Sequence, residues 1–385
     1  MNFPIYLDNH STTRLDDRVL EAMLPYLKDN YGNPSSKGHS FGWIAEEAIS
    51  NARSLIAKLI NASANEIIFT SGTTESNNLA IKGIAGAYSK KKNHIITSAV
   101  EHPSVFEVFQ LLRNSGFTVS ILPVNKYGII DINKLRETIS EKTLLVSIMM
   151  ANNEIGTISP IAEIAEICHE RSVLFHTDAA QAIGKIDVDV RKINADMISF
   201  SAHKNYGPKG IGALYLKKKF PSIPLIPQIN GGGQERNIRS GTLNVPAIVG
   251  FGKAMEITSE ALQEENRTIK NLRDKLQMEL FTKLDGIYLN GHPEKRLPNN
   301  LNISLEGVNI DLLLLELNDL ALSTGSACAS ASPEPSHVLQ AIGLNNSLLK
   351  SSLRFGLGRF NTKEEIEFTS QRVINAVKKI RAQNK

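Results

Sequence analysis

A chain of 385 residues, 42% hydrophobic and 21% charged, can bury a large core and is long enough for one big domain with a smaller one beside it. Its formal net charge of +4 is too small at this length to suggest a nucleic-acid partner, and no apolar run approaches the roughly 20 residues of a membrane span. Two cysteines, Cys168 and Cys328, give neither a disulfide framework nor a metal-ligand spacing, and the first residues lack the charged and apolar regions of a signal peptide, so a reducing, cytoplasmic setting is expected.

Residues 5–13 begin apolar and turn polar, which reads as an extended arm; Asp16 or Asp17 then opens a helix running to about Leu27. Asn30-Tyr-Gly-Asn-Pro-Ser-Ser36 has loop chemistry, and residues 41–60 carry apolar side chains at helical spacing. Strand-like runs follow at 66–70, 94–98, 118–122, 144–150, 173–177, 196–200 and 211–216, with helical patterns at 74–90, 103–115 and 160–171 between them. This alternation predicts an α/β fold, a mostly parallel seven-stranded sheet with helices on both faces. The short return from Phe200 to Ile211 predicts one antiparallel pair. Beyond Leu216 come a proline-rich stretch, the Gly-rich loop 231–242 and a long helix over 245–284, then strands at 287–290, 300–304 and 352–355 and helices at 310–317 and 363–379. The expected organisation is an arm (1–15) packing with the small domain, a large domain (16–260) and a smaller α+β C-terminal domain (261–385).

The chemistry gathers at predicted strand ends, where open α/β sheets bind ligands. Phe69-Thr-Ser-Gly-Thr-Thr-Glu-Ser76 leaves a strand and opens a helix, so its N–H groups and hydroxyls suit an anion such as phosphate, although an ordinary Ser/Thr-rich cap reads equally well alone. His102 follows another strand and can stack on a ring or move protons. Asp178 ends a third, with Gln181 three residues on; a carboxylate there can hold a protonated ring nitrogen and an amide can bond a phenolate oxygen. Lys204, at the end of the next strand, is a candidate for Schiff-base chemistry. Each is weak singly; together they fit pyridoxal phosphate. Cys328 lies in a run of small residues, Leu322-Ser-Thr-Gly-Ser-Ala-Cys-Ala-Ser-Ala-Ser-Pro-Glu-Pro335, which reads as a mobile loop carrying a reactive thiol, whereas Cys168 falls in the apolar phase of a helix and reads as core.

These motifs resemble the cysteine desulfurases, the NifS/IscS-like group of the class V aminotransferase family with pyridoxal-phosphate fold type I. The resemblance runs over nearly the whole chain: Tyr6-Leu-Asp, Tyr31-Gly-Asn-Pro-Ser, Thr70-Ser-Gly-Thr-Thr-Glu-Ser, Glu101-His102, Asn152-Asn-Glu-Ile-Gly156, Asp178-Ala-Ala-Gln181, Ser201-Ala-His-Lys204, Arg239-Ser-Gly-Thr242, Ser326-Ala-Cys-Ala-Ser and Arg354-Phe-Gly-Leu-Gly-Arg359. Asn9-His-Ser-Thr-Thr13 departs from the family's usual opening in its middle residues.

The resemblance implies that Lys204 carries pyridoxal 5'-phosphate as a Schiff base and later moves the α-proton. Asp178 would pair with the ring nitrogen, Gln181 would meet the ring oxygen, and His102 would stack over the ring. Thr73, Thr74, Ser201 and His203 would hold the phosphate, with Thr242 reaching it from the other subunit of a homodimer. Asn153 would contact the cofactor and, with Arg354, the substrate carboxylate. Cys328 would take sulfur from L-cysteine as a persulfide, leaving L-alanine, and pass it to an acceptor protein. Iron–sulfur-assembly members carry a longer tail for scaffold docking than the one ending at Lys385, so a scaffold and a thiolation protein both stand as acceptors. No metal site, direct nucleic-acid binding or membrane contact is expected. Two other readings stand beside this one: a related lyase or aminotransferase, including selenocysteine lyase, for which Cys328 is dispensable, and a non-catalytic partner that keeps the fold, which would have no need of Lys204 or Asp178.

Overall fold

The structure, a computed structural model, describes residues 3–88, 91–324 and 336–383. After a two-residue strand β1 (Ile5–Tyr6), helix α1 (Asp17–Lys28) starts at Asp16, whose carboxylate accepts the Arg18 backbone N–H. Helix α2 (Ser40–Leu59) buries Ala45, Ala48, Ile49, Ala52 and Ile56, a stripe at three- and four-residue spacing.

The alternation then runs β2 (Ile67–Thr70), α3 (Thr73–Tyr88), β3 (His94–Ser98), α4 (Pro103–Asn114), β4 (Thr118–Leu122), α5 (Ile132–Thr138), β5 (Thr143–Ser147), α6 (Ile161–Glu170), β6 (Leu174–Asp178), α7 (Val190–Ile193), β7 (Met197–Ser201) and β8 (Gly212–Leu216). These strands form one seven-stranded sheet in the order β2-β8-β7-β6-β5-β3-β4. β3, β5, β6 and β7 are buried almost throughout because helices cover both faces, which is why each holds adjacent apolar residues, such as Leu144-Leu-Val146 of β5, where a half-exposed strand would alternate. One core lies between the sheet and α2, α6 and the first turns of the long helix that follows it (Val245–Lys283); the other lies under α3 and α4.

The single antiparallel pair expected from the short return becomes two. β8 turns back from β7 and inserts between β7 and β2, so it runs antiparallel to both. Two reversals leave β2 parallel to β7, and the carboxyl ends of β2, β3, β5, β6 and β7 therefore emerge on one edge.

Helix α8 (Val245–Lys283) leads out of this layer into β9 (Ile287–Leu289), β10 (Asn300–Leu305), α9 (Ile310–Glu316), β11 (Leu320–Ala321), α10 (His337–Ala341), α11 (Asn346–Leu349), β12 (Ser352–Gly356) and α12 (Lys363–Gln383). β12, β10 and β9 form an antiparallel sheet whose side chains Leu301, Ile303 and Phe355 meet Leu276 of α8 and Val377 of α12 in a separate core. Ile5 and Leu7 join that core, and β1 pairs in parallel with β11. Among the described residues no helix is long and apolar enough to cross a membrane.

Candidate active site

The common edge of the strands opens on a cavity of about 550 Å³ lined by residues from both sheets' connections and from the arm. Thr73, Thr74, His102, Asn153, Asp178, Gln181, His203, Lys204 and Arg354, all singled out from the sequence, line it. Ser201 is buried at the end of β7 without reaching the lining, Thr242 is exposed and outside it, and Cys328 lies outside the described residues.

The anion-binding end is built by β2 and α3. The chain leaves β2 through Ser71-Gly72, and the Glu75 carboxylate accepts the Ser71 N–H at 2.8 Å while Arg239 Nε donates to its other oxygen at 2.8 Å. Close approach sets the turn: a Cβ on Gly212 of β8 would lie 2.6 Å from the Gly72 Cα. Thr73 Oγ1 and Ser201 Oγ are buried and have no hydrogen-bond partner among the described residues. Two hydroxyls in that condition beside the N-terminus of a 16-residue helix fit an oxyanion that accepts from both.

Asp178, at the end of β6, is 5% exposed, and its carboxylate is held on both oxygens: Asn77 Nδ2 donates to Oδ2 at 2.7 Å and the Ala180 N–H to Oδ1 at 2.9 Å. Asn77 sits one turn into α3 from Thr73 and also donates to Ser104 Oγ at 2.9 Å, which ties the anion end to α4. His102 caps α4, its Nδ1 accepting the Ser104 N–H at 3.1 Å, with Pro103 following at the first helical position. The neutral ring therefore carries its proton on Nε2, and burial, foremost, keeps the imidazole below its ordinary pKa.

Lys204 follows β7 in a single 3-10 turn, and its Nζ donates to the His10 and Ser11 carbonyls at 2.6 and 2.7 Å. His203 beside it bonds Thr12 Oγ1 at 3.2 Å; burial and then the Lys204 and Lys209 ammonium groups hold it at about 4. From the second sheet, Arg354 of β12 reaches Asp8 Oδ1, Ser11 Oγ and the Asn153 carbonyl, each at 2.9 Å. Glu154, next in the lining, accepts from Ser336 Oγ at 2.5 Å, and burial pushes its carboxyl up to about 7. His337 donates Nε2–H to the Glu101 carbonyl at 2.9 Å, and the buried Glu101 carboxyl is pushed up to about 8.

Asn77, Glu154, His337 and the arm residues His10 and Ser11 are site residues that the sequence analysis gave no role. Asn77 had a signal, one helical turn beyond the hydroxyls on the same face of α3. The arm residues had none, since the arm's partners Gln181, His203, Arg354 and Gly356 lie far along the chain.

The chain matches the family description "Aminotransferase class-V" over residues 5–368. It is 52% identical to the cysteine desulfurase IscS of Ehrlichia chaffeensis over 381 residues, spanning 99% of this chain and 93% of that protein. Among solved structures, a NifS-like protein superposes with a TM-score of 0.89 at 39% identity, covering 96% of this chain and 98% of the other. A structure described as SspA in complex with cysteine superposes with a TM-score of 0.82 at 37% identity, covering 93% of this chain and all of the other (100%).

The chain belongs to the aminotransferase class-V family.

Members of the aminotransferase class-V family use pyridoxal 5'-phosphate bound to a lysine as a Schiff base, and the cofactor of this chain is the same. The buried Thr73 and Ser201 hydroxyls, the doubly anchored Asp178 carboxylate and Lys204 across one cavity are a donor, acceptor and amine set that fits it.

Proposed function

We propose that this chain is a pyridoxal-phosphate-dependent cysteine desulfurase that removes sulfur from L-cysteine, releases L-alanine and leaves a persulfide on Cys328 for acceptor proteins. The observation that carries the reading is the single cavity shared by Lys204, Asp178, the N-terminus of α3 and Arg354, in a chain whose sequence also supplies the Ser326-Ala-Cys-Ala-Ser segment. The 52% identity to a cysteine desulfurase supports it.

Thr73, Thr74, Ser201 and His203 would hold the phosphate, Asp178 the ring nitrogen and Gln181 the ring oxygen, with His102 against the ring. When bound, the cofactor supplies an electron sink that makes the substrate α-proton removable. Arg354, with Asn153 beside it, offers a charge-assisted site for the substrate carboxylate, and Asp8 and Ser11 keep the guanidinium aimed. Lys204 Nζ, as a free neutral amine, would take the α-proton and return it to carbon. His102, neutral and protonated on Nε2, can relay a proton to or from that position. The Cys328 thiolate would attack the substrate sulfur: an S–S bond forms, the C–S bond breaks with its electron pair left on the β-carbon, and that carbon takes up a proton so that the amino acid leaves as alanine.

The working unit is a homodimer in which Thr242 reaches the partner's phosphate site. The exposed Leu20, Leu24, Tyr31, Phe41 and Trp43 on and between α1 and α2 support an apolar interface there. The arm (1–15) acts with the small lobe (261–385) against the large lobe (16–260), and the setting is cytoplasmic. The acceptors are an iron–sulfur scaffold or a tRNA-thiolation protein.

The test is a paired assay of wild type and Cys328→Ala, following alanine release from L-cysteine and protein-bound persulfide. Wild type is expected to give both products, and the variant to lose both by about 100-fold or more while retaining cofactor. Normal amino-acid turnover by Cys328→Ala would instead favour a lyase or aminotransferase.

A further inference from the structure

We propose that His10 is a positioning residue for the cofactor: its ring N–H locks the Gln181 amide so that only an amide N–H faces the ring oxygen of pyridoxal 5'-phosphate. The inference rests on the role given to Gln181 above and adds to it a residue of the arm.

The hydrogen bonds around His10 admit one assignment. Gln181 Nε2 donates to the His10 backbone carbonyl at 3.0 Å. A carbonyl only accepts, so this contact fixes which end of the amide is nitrogen, and the oxygen is then the atom 2.9 Å from His10 Nδ1. That oxygen also only accepts, so Nδ1 carries the ring proton. On the far side Asn300 is fixed independently, with Nδ2 donating to the Glu154 carbonyl at 3.0 Å and Oδ1 accepting from Arg296 Nη2 at 2.9 Å. Its Nδ2 therefore meets His10 Nε2 at 3.1 Å as a donor, and Nε2 must accept. Both ends of the ring call for the same neutral tautomer. Burial foremost, then the Arg354 guanidinium, hold His10 at about 3, so the ring does not titrate near neutrality. Nor can it turn easily, because the glycine edge of β12 packs on it, and a Cβ at Gly356 would stand 2.9 Å from His10 Cδ2.

The consequence falls on Gln181. Its oxygen is committed to His10 Nδ1–H and one Nε2 hydrogen to the His10 carbonyl, which leaves one amide hydrogen for the cavity it lines. A flipped amide would set oxygen against carbonyl and NH₂ against N–H, losing both bonds. A lone glutamine could offer the cavity either end; this one offers a donor. A donor stabilises an anionic ring oxygen and so lowers the proton affinity of the lysine–cofactor nitrogen beside it.

The experiment is a pH titration of the visible absorption of the holoenzyme without substrate, with bound cofactor quantified for every variant. His10→Leu is expected to raise the spectral midpoint by about half a pH unit or more. His10→Asn, whose amide N–H can reach the same oxygen, keeps the wild-type midpoint. Gln181→Leu gives the same rise, and adding His10→Leu to it moves the midpoint no further. His10→Ser, too short to reach Gln181, carries the same prediction as His10→Leu should that variant fail to fold. If Gln181→Leu shifts the midpoint while His10→Leu and His10→Ser do not, or if His10→Asn shifts as far as they do, the proposal is overturned. If Gln181→Leu itself shifts nothing, what fails is the contact between Gln181 and the ring oxygen, and the role of His10 falls with it.

Discussion

Asp178 shows how a site residue can be legible while its anchoring is not. A carboxylate at the end of a strand, three residues before a glutamine, could be read as the partner of a ring nitrogen from the sequence. The two bonds that aim it, from Asn77 across 101 positions and from Ala180 two residues on, come from the fold. We expect Asp178→Asn to keep the fold and bind cofactor while alanine release falls by about 100-fold or more, because in the role proposed for Asp178 the ring nitrogen would lose its anionic partner. Steady-state rates normalised to bound cofactor measure this; a rate within a few-fold of wild type would remove Asp178 from that role. His10 and His337 were not legible in this way. A histidine in a polar arm and another after a small-residue run carry no local pattern, and each becomes part of the site only through a partner far along the chain.

At the scale of elements, the strands of the large sheet were legible because most hold adjacent apolar residues between turn-forming segments, and β3 and β4 begin and end where the predicted strands do. What escaped was pairing and short structure. β11, α10 and α11 have two to five residues each, too few for a period to show, and they are held by tertiary contacts. The insertion of β8 between β7 and β2 was read as one reversal instead of two, since a sequence shows that a strand turns back but not which neighbour it turns between. That insertion brings Gly212 against Gly72, so Gly212→Val should overpack the turn into α3. We expect a loss of about 1–3 kcal/mol of stability together with weaker cofactor binding. Urea unfolding and a cofactor titration read the two effects, and a variant unchanged in both would show that the turn has slack.

Across the whole molecule, buried titratable groups of both kinds sit in or near the cavity. Burial pushes Glu101 up to about 8 and Glu154 up to about 7, and holds the His10 and His176 imidazoles at about 3. A raised carboxyl stabilises the fold fully below the ordinary carboxylate pKa, and that contribution is lost as pH rises through the raised value. A depressed imidazole contributes above its ordinary pKa of about 6.5 and loses that contribution as pH falls. The two pairs offset each other between about pH 4.5 and 6.5, and of these four groups only the carboxyls still change above that window; the buried Lys185 ammonium, lowered to about 8, opposes them from about that pH upward. Stability of the cofactor-free protein should therefore fall from pH 6.5 to pH 8, with a slope of at most about 1.4 kcal/mol per pH unit for each group. Glu101→Gln keeps the acceptor for Ser98 and Met149 and should remove about two-thirds of the decline, since Glu154 is already half titrated at about pH 7. Denaturant midpoints at the two pH values decide it; a decline of full size in the variant would acquit Glu101.

The arm has a further consequence in time. Asn9 bonds the Gly356 carbonyl across 347 positions, and Asp8 and Ser11 meet Arg354 across 346 and 343. The arm thus leaves the ribosome 343 to 347 positions ahead of these partners and waits for them. Until then Asp8 and Ser11 have no guanidinium to hold and the carboxylate clamp lacks Arg354 itself, so a nascent chain has no finished chamber in which to liberate sulfur. Synthesis of β12 and onset of reactivity are coupled by the topology itself.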